Sequence, residues 1–352
     1  MKNFWKKAAA GICAAAMLAV SAASTGLTAN AVKDPYTGWE YSIGKDAEGN
    51  PSFVDLLGYE GFAENLTVPA TFTIPDTSIT VPVKGMPDGF LCNQNHNNDS
   101  LKYLKKVTFN AATTYGSQAS IPGKACEECV NLKEVNIAVP ISLIRYNAFY
   151  KCFALEKINL PNGLKTIEGD AFGLCTSLEH IVFPSTLETI GHDAFAGCTA
   201  LQNVYIPYSV TEIGDDAFKN TKLTRVVVYN PNTNIANSAF PANVKQFCAP
   251  AEATNLQTYA ESHGIPYLPF SLGNVNHDDR IDTKDVNMVL RAYTYEISGL
   301  DSGLSEVQKL EADINGNGKI DVRDSRLLLK YYTEVVVLHG DMSLPDYLLT
   351  QN

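Results

Sequence analysis

A period of 23 residues constrains this chain more than any other feature. Ala-Phe pairs stand at Ala148-Phe149, Ala171-Phe172, Ala194-Phe195 and Ala217-Phe218, then at Ala239-Phe240 after 22 residues. Five residues before each Phe comes an isoleucine: Ile144, Ile167, Ile190, Ile213 and Ile235. Cys152, Cys175 and Cys198 follow the Phe by three, and Ile121, Cys126 in the Phe position and Cys129 extend the ladder backwards. Strand-like segments come next in each unit: LKEVNI, LEKINL, LEHIVF, LQNVYI and LTRVVV. A unit this short cannot bury its own apolar face, so successive units must stack, with Ile, Phe, Cys and Leu columns inside a coil. Six clear copies, and a degenerate one near Phe90, exceed the three or so that a stable stack requires. The one-residue deletion before LTRVVV falls in a turn, where it is tolerated.

The motifs LPNGLKTIEGDAFGLCTSLEHIVF and PSTLETIGHDAFAGCTALQNVYI resemble the bacterial BspA-like leucine-rich repeats. WEYSI and VDLLGYEGFAENLTVPATF resemble the N-terminal β-cap of that family, and NLQTYAESHGIPYLPF its closing helix and final strand. The likeness covers roughly residues 36 to 270. It implies surface binding and adhesion rather than catalysis.

Stacking accounts for the cysteines. Neighbouring coils lie about 5 Å apart, so equivalent thiols point in parallel rather than converging into a bond. The pair Cys126 and Cys129 matches a redox C-x-x-C pattern, but both fall on inward positions and read as packing. If the strands form one open face, alternation places Lys106, Thr108, Glu134, Asn136, Lys157, Asn159, His180, Val182, Asn203, Tyr205, Arg225 and Val227 outward. Lys157, His180, Asn203, Tyr205 and Arg225 are the candidate ligand face.

After this solenoid comes DINGNGKIDVRD. Calcium takes six to eight oxygens, and a twelve-residue loop supplies them from positions 1, 3, 5, 7, 9 and 12. Here those are Asp313, Asn315, Asn317, the Lys319 carbonyl, Asp321 and Asp324, with Gly318 at the sharp turn and Ile320 facing inward. Thirty-nine residues earlier, NVNHDDRIDTKD places Asn274, Asn276, Asp278, the Arg280 carbonyl, Asp282 and Asp285 at the same positions. Each loop runs into an amphipathic helix, VNMVLRAY or SRLLLKYY. Two such loop-helix units resemble a type I dockerin, over about residues 272 to 340.

The resemblance implies binding to a cohesin module on a cellulosomal scaffoldin. It carries partner recognition onto Thr283, Lys284, Leu290 and Arg291 in the first copy. In the second copy it falls on Val322, Arg323, Leu329 and Lys330. The agreement between copies implies a plug with pseudo-twofold symmetry, able to dock in either of two orientations on an apolar surface with an acidic rim. The first loop departs from the family pattern at Asn274 and at Asp279, which stands where glycine is usual. With one fewer charge and a stiffer turn, it is expected to bind calcium more weakly than the second.

Lys2, Lys6 and Lys7 precede the apolar run Ala8 to Val20, and Ala29-Asn30-Ala31 offers a cleavage site, the layout of a secretory signal peptide. No second apolar stretch is long enough to span a membrane. The full chain carries -11, and about -14 without those lysines, which argues against nucleic-acid binding. No G-x-S-x-G or H-E-x-x-H motif occurs, and Glu168, Asp170, Asp193, Asp215 and Asp216 read as turn carboxylates rather than a catalytic pair.

The expected fold is mixed α/β: a leucine-rich-repeat solenoid with β-cap, followed by a small all-α dockerin with two EF-hand-like calcium loops. Expected boundaries are 1–31 signal peptide, 32–100 cap and degenerate repeat, 101–270 repeats with C-terminal cap, and 272–352 dockerin and tail. The expected function is that of a secreted, non-catalytic cellulosomal component. It carries two Ca2+ ions, a cohesin partner and a protein or glycan ligand for the repeats. The alternative is a glycoside hydrolase or carbohydrate-binding accessory in polysaccharide degradation. Pro266 and Pro269 at the join predict two domains that do not swing widely.

Overall fold

The computed structural model describes residues 31–92, 101–278, 280–338, 340 and 342–351. Up to residue 30 the segment read as a signal peptide lies outside the described residues, and so does Asp279. Among the described residues no helix is long and apolar enough to cross a membrane.

The repeats coil as a solenoid. Two-residue strands at Leu143–Ile144, Thr166–Ile167, Thr189–Ile190, Glu212–Ile213 and Asn234–Ile235 pair in parallel, each isoleucine opposite the next. Inside, Phe149, Phe172, Phe195, Phe218 and Phe240 form a column whose successive ring centroids are 5.3, 5.2, 5.3 and 5.1 Å apart. That spacing is the coil repeat, so each ring packs flat on its neighbours.

The thiols form a second column. Cys152, Cys175 and Cys198 are buried and donate to the carbonyls of Cys126, Phe149 and Phe172 at 3.1, 3.3 and 3.2 Å. Burial pushes the Cys198 thiol up to about 12 and holds Cys152 and Cys175 well above the usual range, so these are packing groups and poor nucleophiles. Cys126 and Cys129 are likewise buried and unpaired.

At the N-terminal end a five-stranded sheet runs in the order Val32–Lys33, Trp39–Lys45, Pro51–Tyr59, Thr80–Gly85, Thr71–Thr73. Asn65–Val68 leaves this region to pair in parallel with Lys106–Phe109, starting the ladder that the repeats continue. At the other end Gln246–Pro250 and Tyr267–Phe270 close it, with helix α1 (Thr254–Ser262) between them.

The outer face is not the single open sheet that the repeat strands predict. It is two four-stranded parallel sheets, one ending at Lys157–Asn159 and the other beginning at Asn203–Ile206. The segment between, Leu178 to Phe183, buries Leu178, Ile181 and Phe183 but joins neither sheet. Phe183 stands where other rungs carry Ile137, Leu160, Ile206 or Val228, and its ring meets Phe195 edge-on at 5.6 Å. Ring size alone does not open the sheet, because Phe109 holds the same column position in an intact ladder, opposite Val68 and Ile137.

Among the described residues four α-helices follow: α2 (Thr283–Ile297), α3 (Glu306–Ala312), α4 (Val322–Tyr331) and α5 (Leu344–Leu349). They share a core with the end of the solenoid. Tyr208, Val227, Tyr229, Cys248 and Phe270 pack in one cluster with Val275, Val289, Leu310, Ile314 and Leu328. The chain beyond α4 returns to this unit: Tyr347 packs against Tyr331 at 5.6 Å and Leu344 lies over Gly273.

Candidate metal centres and docking face

The two twelve-residue loops share their hydrogen bonds at positions three, five, nine and twelve. At position twelve, Asp285 accepts the N–H groups of Asn276 and Asp282 at 3.1 and 2.9 Å. Asp324 accepts those of Asn315 and Asp321 at 3.0 and 2.6 Å. At position three, Asn276 accepts from Asp278 N–H at 2.8 Å, as Asn315 does from Asn317 N–H at 3.1 Å. Positions nine and twelve also start the helices. Asp282 with Asp285 caps α2, and Asp321 with Asp324 caps α4, each through a reciprocal capping box. One set of short oxygen-bearing residues thus bends the loop, orients its oxygens and begins the helix.

The electrostatics call for a cation. Asp285 and Asp324 are fully buried and Asp313 is 3% exposed. Burial pushes the Asp313 carboxyl up to about 6. Burial, then the charge of Asp313, pushes Asp324 up to about 8. Buried carboxylates of one sign are costly unless paired or bound to metal. In the first loop the Asn274 side chain bonds Asp278 O through its amide nitrogen at 2.5 Å, while its buried Oδ1 has no hydrogen-bond partner. A donor set made only of carboxylate, amide and carbonyl oxygens suits a hard divalent cation. The residues present fit such an ion: Asn274, Asn276, Asp278, Arg280 (carbonyl), Asp282 and Asp285 would hold one, and Asp313, Asn315, Asn317, Lys319 (carbonyl), Asp321 and Asp324 another.

Buried Val286, Val289 and Ala292 turn one face of α2 inward, and Leu328 and Tyr331 do so for α4. The opposite faces carry Thr283, Lys284, Leu290 and Arg291, and Val322, Arg323, Leu329 and Lys330, all exposed. Leu290 and Leu329 are each 45% exposed and Val322 53%, beside the cations Arg291, Lys330 and Arg323.

The expected repeat face is only partly open. Lys157, Asn159, His180, Val182 and Asn203 are exposed, but Tyr205 and Arg225 are half-buried. Val227, expected outward, is fully buried beneath the helical unit. Arg225 pairs with Glu306 of α3 at 3.2 Å. Where the sheet opens, a groove of about 920 Å³ runs between Lys157, Asn159, His180 and Val182 on one side and Asn315 and Arg323 on the other. Its walls are mixed in polarity.

The acidic turns have a backbone cause. Asp170, Asp193 and Asp216 have φ of 55°, 51° and 56°, a left-handed conformation that Asp and Asn tolerate best among residues with a side chain.

Sequence reasoning missed Tyr229 and Glu311. The Tyr229 hydroxyl donates to Asp313 Oδ2 at 2.8 Å. Glu311, 2% exposed, accepts from Ser271 N–H at 3.0 Å and meets His277 at 2.7 Å. A signal existed for the first: the outward alternation Arg225, Val227, Tyr229 turns apolar, as expected of a covered surface. Nothing in the sequence marks Glu311.

Comparison with known proteins agrees with this division. A BspA type leucine-rich repeat region in six copies matches residues 119–245, and a type I dockerin domain matches residues 272–332. No curated protein is matched significantly. Among solved structures, a leucine-rich cell surface protein from Faecalibacterium prausnitzii A2-165 is 23% identical with a TM-score of 0.51, over 65% of this chain and 56% of that one. The chain therefore spans little more than half the length of that protein, and the likeness is one of fold. A leucine-rich repeat protein of T. pallidum (21% identity, TM-score 0.34, 67% of this chain and 98% of that one) is more distant. So is one of Bacteroides ovatus (20%, 0.34, 60% and 54%). Neither matched region is a catalytic module, and type I dockerins are calcium-binding domains with cohesin partners. The chain is thus a BspA-type leucine-rich repeat solenoid joined to a type I dockerin.

Proposed function

We propose that this is a secreted, non-catalytic cellulosomal component that binds two calcium ions and plugs into a cohesin module of a scaffoldin. The N-terminal pattern of lysines, apolar run and small residues supports export. The observation that carries the docking reading is the duplication. Two loops with matching hydrogen bonds feed two helices, each presenting a Leu flanked by cations to solvent. The partner surface is apolar with an acidic rim, complementary to Leu290 and Leu329 and to Lys284, Arg291, Arg323 and Lys330. The role of each ion is to neutralise the loop carboxylates and hold the helices in their docking geometry. The solenoid, through Lys157, His180, Asn203 and the open parts of Tyr205 and Arg225, presents a protein- or glycan-binding surface to a second ligand.

The test is isothermal titration of the protein against a panel of cohesins, in calcium and then in chelator. Tight binding lost on chelation is the expected result. Leu290→Ala with Leu329→Ala should weaken it about a hundredfold or more, since both anchors are removed. Unchanged affinity in the double variant would refute the assignment of the docking face.

A further inference from the structure

The inner side of the second loop is closed by the solenoid. Tyr229, directly after the strand Arg225–Val228, is 1% exposed and donates its hydroxyl hydrogen to Asp313 Oδ2. Its ring lies over Gly316, where a Cβ would come within 2.9 Å of Cδ2, and Tyr205 covers Gly318 in the same way at 2.7 Å. Those glycines have φ of 68° and 82°, so the turn and the approach of the tyrosines both depend on the missing side chain. Arg225 holds Glu306 at the start of α3, and α3 leads straight into Asp313. The first loop differs: at the position of Asp313 stands Asn274, whose side chain bonds only within its own loop.

We propose that Tyr229 is a positioning residue for the second metal site, so that the repeat domain supplies part of that site's outer shell and sets its affinity for calcium. This rests on the reading of the loops as calcium sites. An ionised carboxylate offers about four lone-pair positions. Tyr229 and the Gly318 N–H occupy Oδ2 at 2.8 and 2.7 Å, and the Asn317 N–H meets Oδ1 at 3.0 Å, which fixes the rotation of the group. A carboxylate held this way needs no ordering when the ion arrives. The donor is also neutral. A lysine or arginine there would hold Asp313 equally well but would compete with the ion for its charge, whereas a phenol orients the group and leaves its charge to the metal. By reciprocity, an ion in the second loop tightens the Tyr229 contact and with it the junction between solenoid and dockerin.

The test is isothermal titration of calcium chloride into the full-length protein. Asp285→Asn leaves the second site to be read alone, and Asp324→Asn, at the same loop position, leaves the first. Tyr229→Phe keeps the ring over Gly316 and removes only the donor. In the Asp285→Asn background it should lower calcium affinity about 10- to 100-fold. In the Asp324→Asn background it should change affinity by less than about twofold, because an outer-shell effect is local. Equal second-site affinity with and without Tyr229→Phe would overturn the proposal, as would an equal loss at both sites, which marks a general loosening. No calcium uptake by the unaltered protein would remove the loop reading itself and the proposal with it.

Discussion

At the scale of single residues, what a side chain does in the solenoid follows from its place in a 23-residue coil. Phe195 is fully buried, lies flat against Phe172 and Phe218 at 5.2 and 5.3 Å, and receives Phe183 edge-on. Replacing it with Ala leaves a gap that neighbours in a rigid column cannot close. Phe195→Ala should therefore cost about 3–5 kcal/mol, read as a lower midpoint in chemical denaturation. A loss below about 1 kcal/mol would mean that the coils collapse onto the gap. This column was legible in the sequence because an inward position repeats its residue type every turn. Val227 and Tyr229 carried only the weaker signal of an outward alternation turning apolar, because a distant segment decides their burial. Alternation places both outward, correctly for the isolated strand, and the helical unit then covers them.

At the scale of elements, the loops were the easiest part to recognise and Leu178 to Phe183 the hardest. A twelve-residue loop needs oxygen donors at fixed positions and its helix needs a cap, so Asp282, Asp285, Asp321 and Asp324 each answer two demands and leave a sharp signature. A strand needs only alternation, and LEHIVF has it, yet it joins neither sheet; pairing depends on the neighbouring coils, which no local pattern reports. The loop carboxylates also give this region its pH dependence. Burial pushes Asp313 up to about 6 and, with the charge of Asp313, Asp324 up to about 8, both above the unfolded value of about 3.9. The folded state then holds more protons than the unfolded state across that window. The resulting stability is complete below about pH 4 and is lost as pH rises through about 6 to 8. In chelator, the melting temperature of the dockerin should therefore fall by roughly 5 °C or more between pH 5 and pH 8.5, as calorimetry would record. Excess calcium should reduce the fall, because the ion offsets the buried charges. A melting temperature in chelator that stays level with pH would show that these carboxylates are solvated when folded.

At the scale of the whole molecule, the two regions are joined by more than their short link. Tyr208, Val227, Tyr229 and Phe270 of the solenoid share one apolar cluster with the helices. The Arg225–Glu306 pair and the Ser271 N–H to Glu311 bond frame it. A dockerin cut free at residue 271 would expose Val275, Leu310 and Ile314 where those side chains had covered them. Each apolar side chain returned to water costs about 1.5–3 kcal/mol when fully exposed. Even partial exposure of two or three should lower the melting temperature of a unit this size by roughly 10 °C. A fragment of residues 271–352 in saturating calcium is therefore expected to melt well below the dockerin transition of the full chain. Removing the solenoid also removes Tyr229 from Asp313, so the gap should widen as free calcium is lowered toward the dissociation constant of the second site. Equal midpoints at every calcium concentration would mean that the solenoid lies against the dockerin without stabilising it. The exposed docking faces of α2 and α4 would then be carried by a module independent of its neighbour.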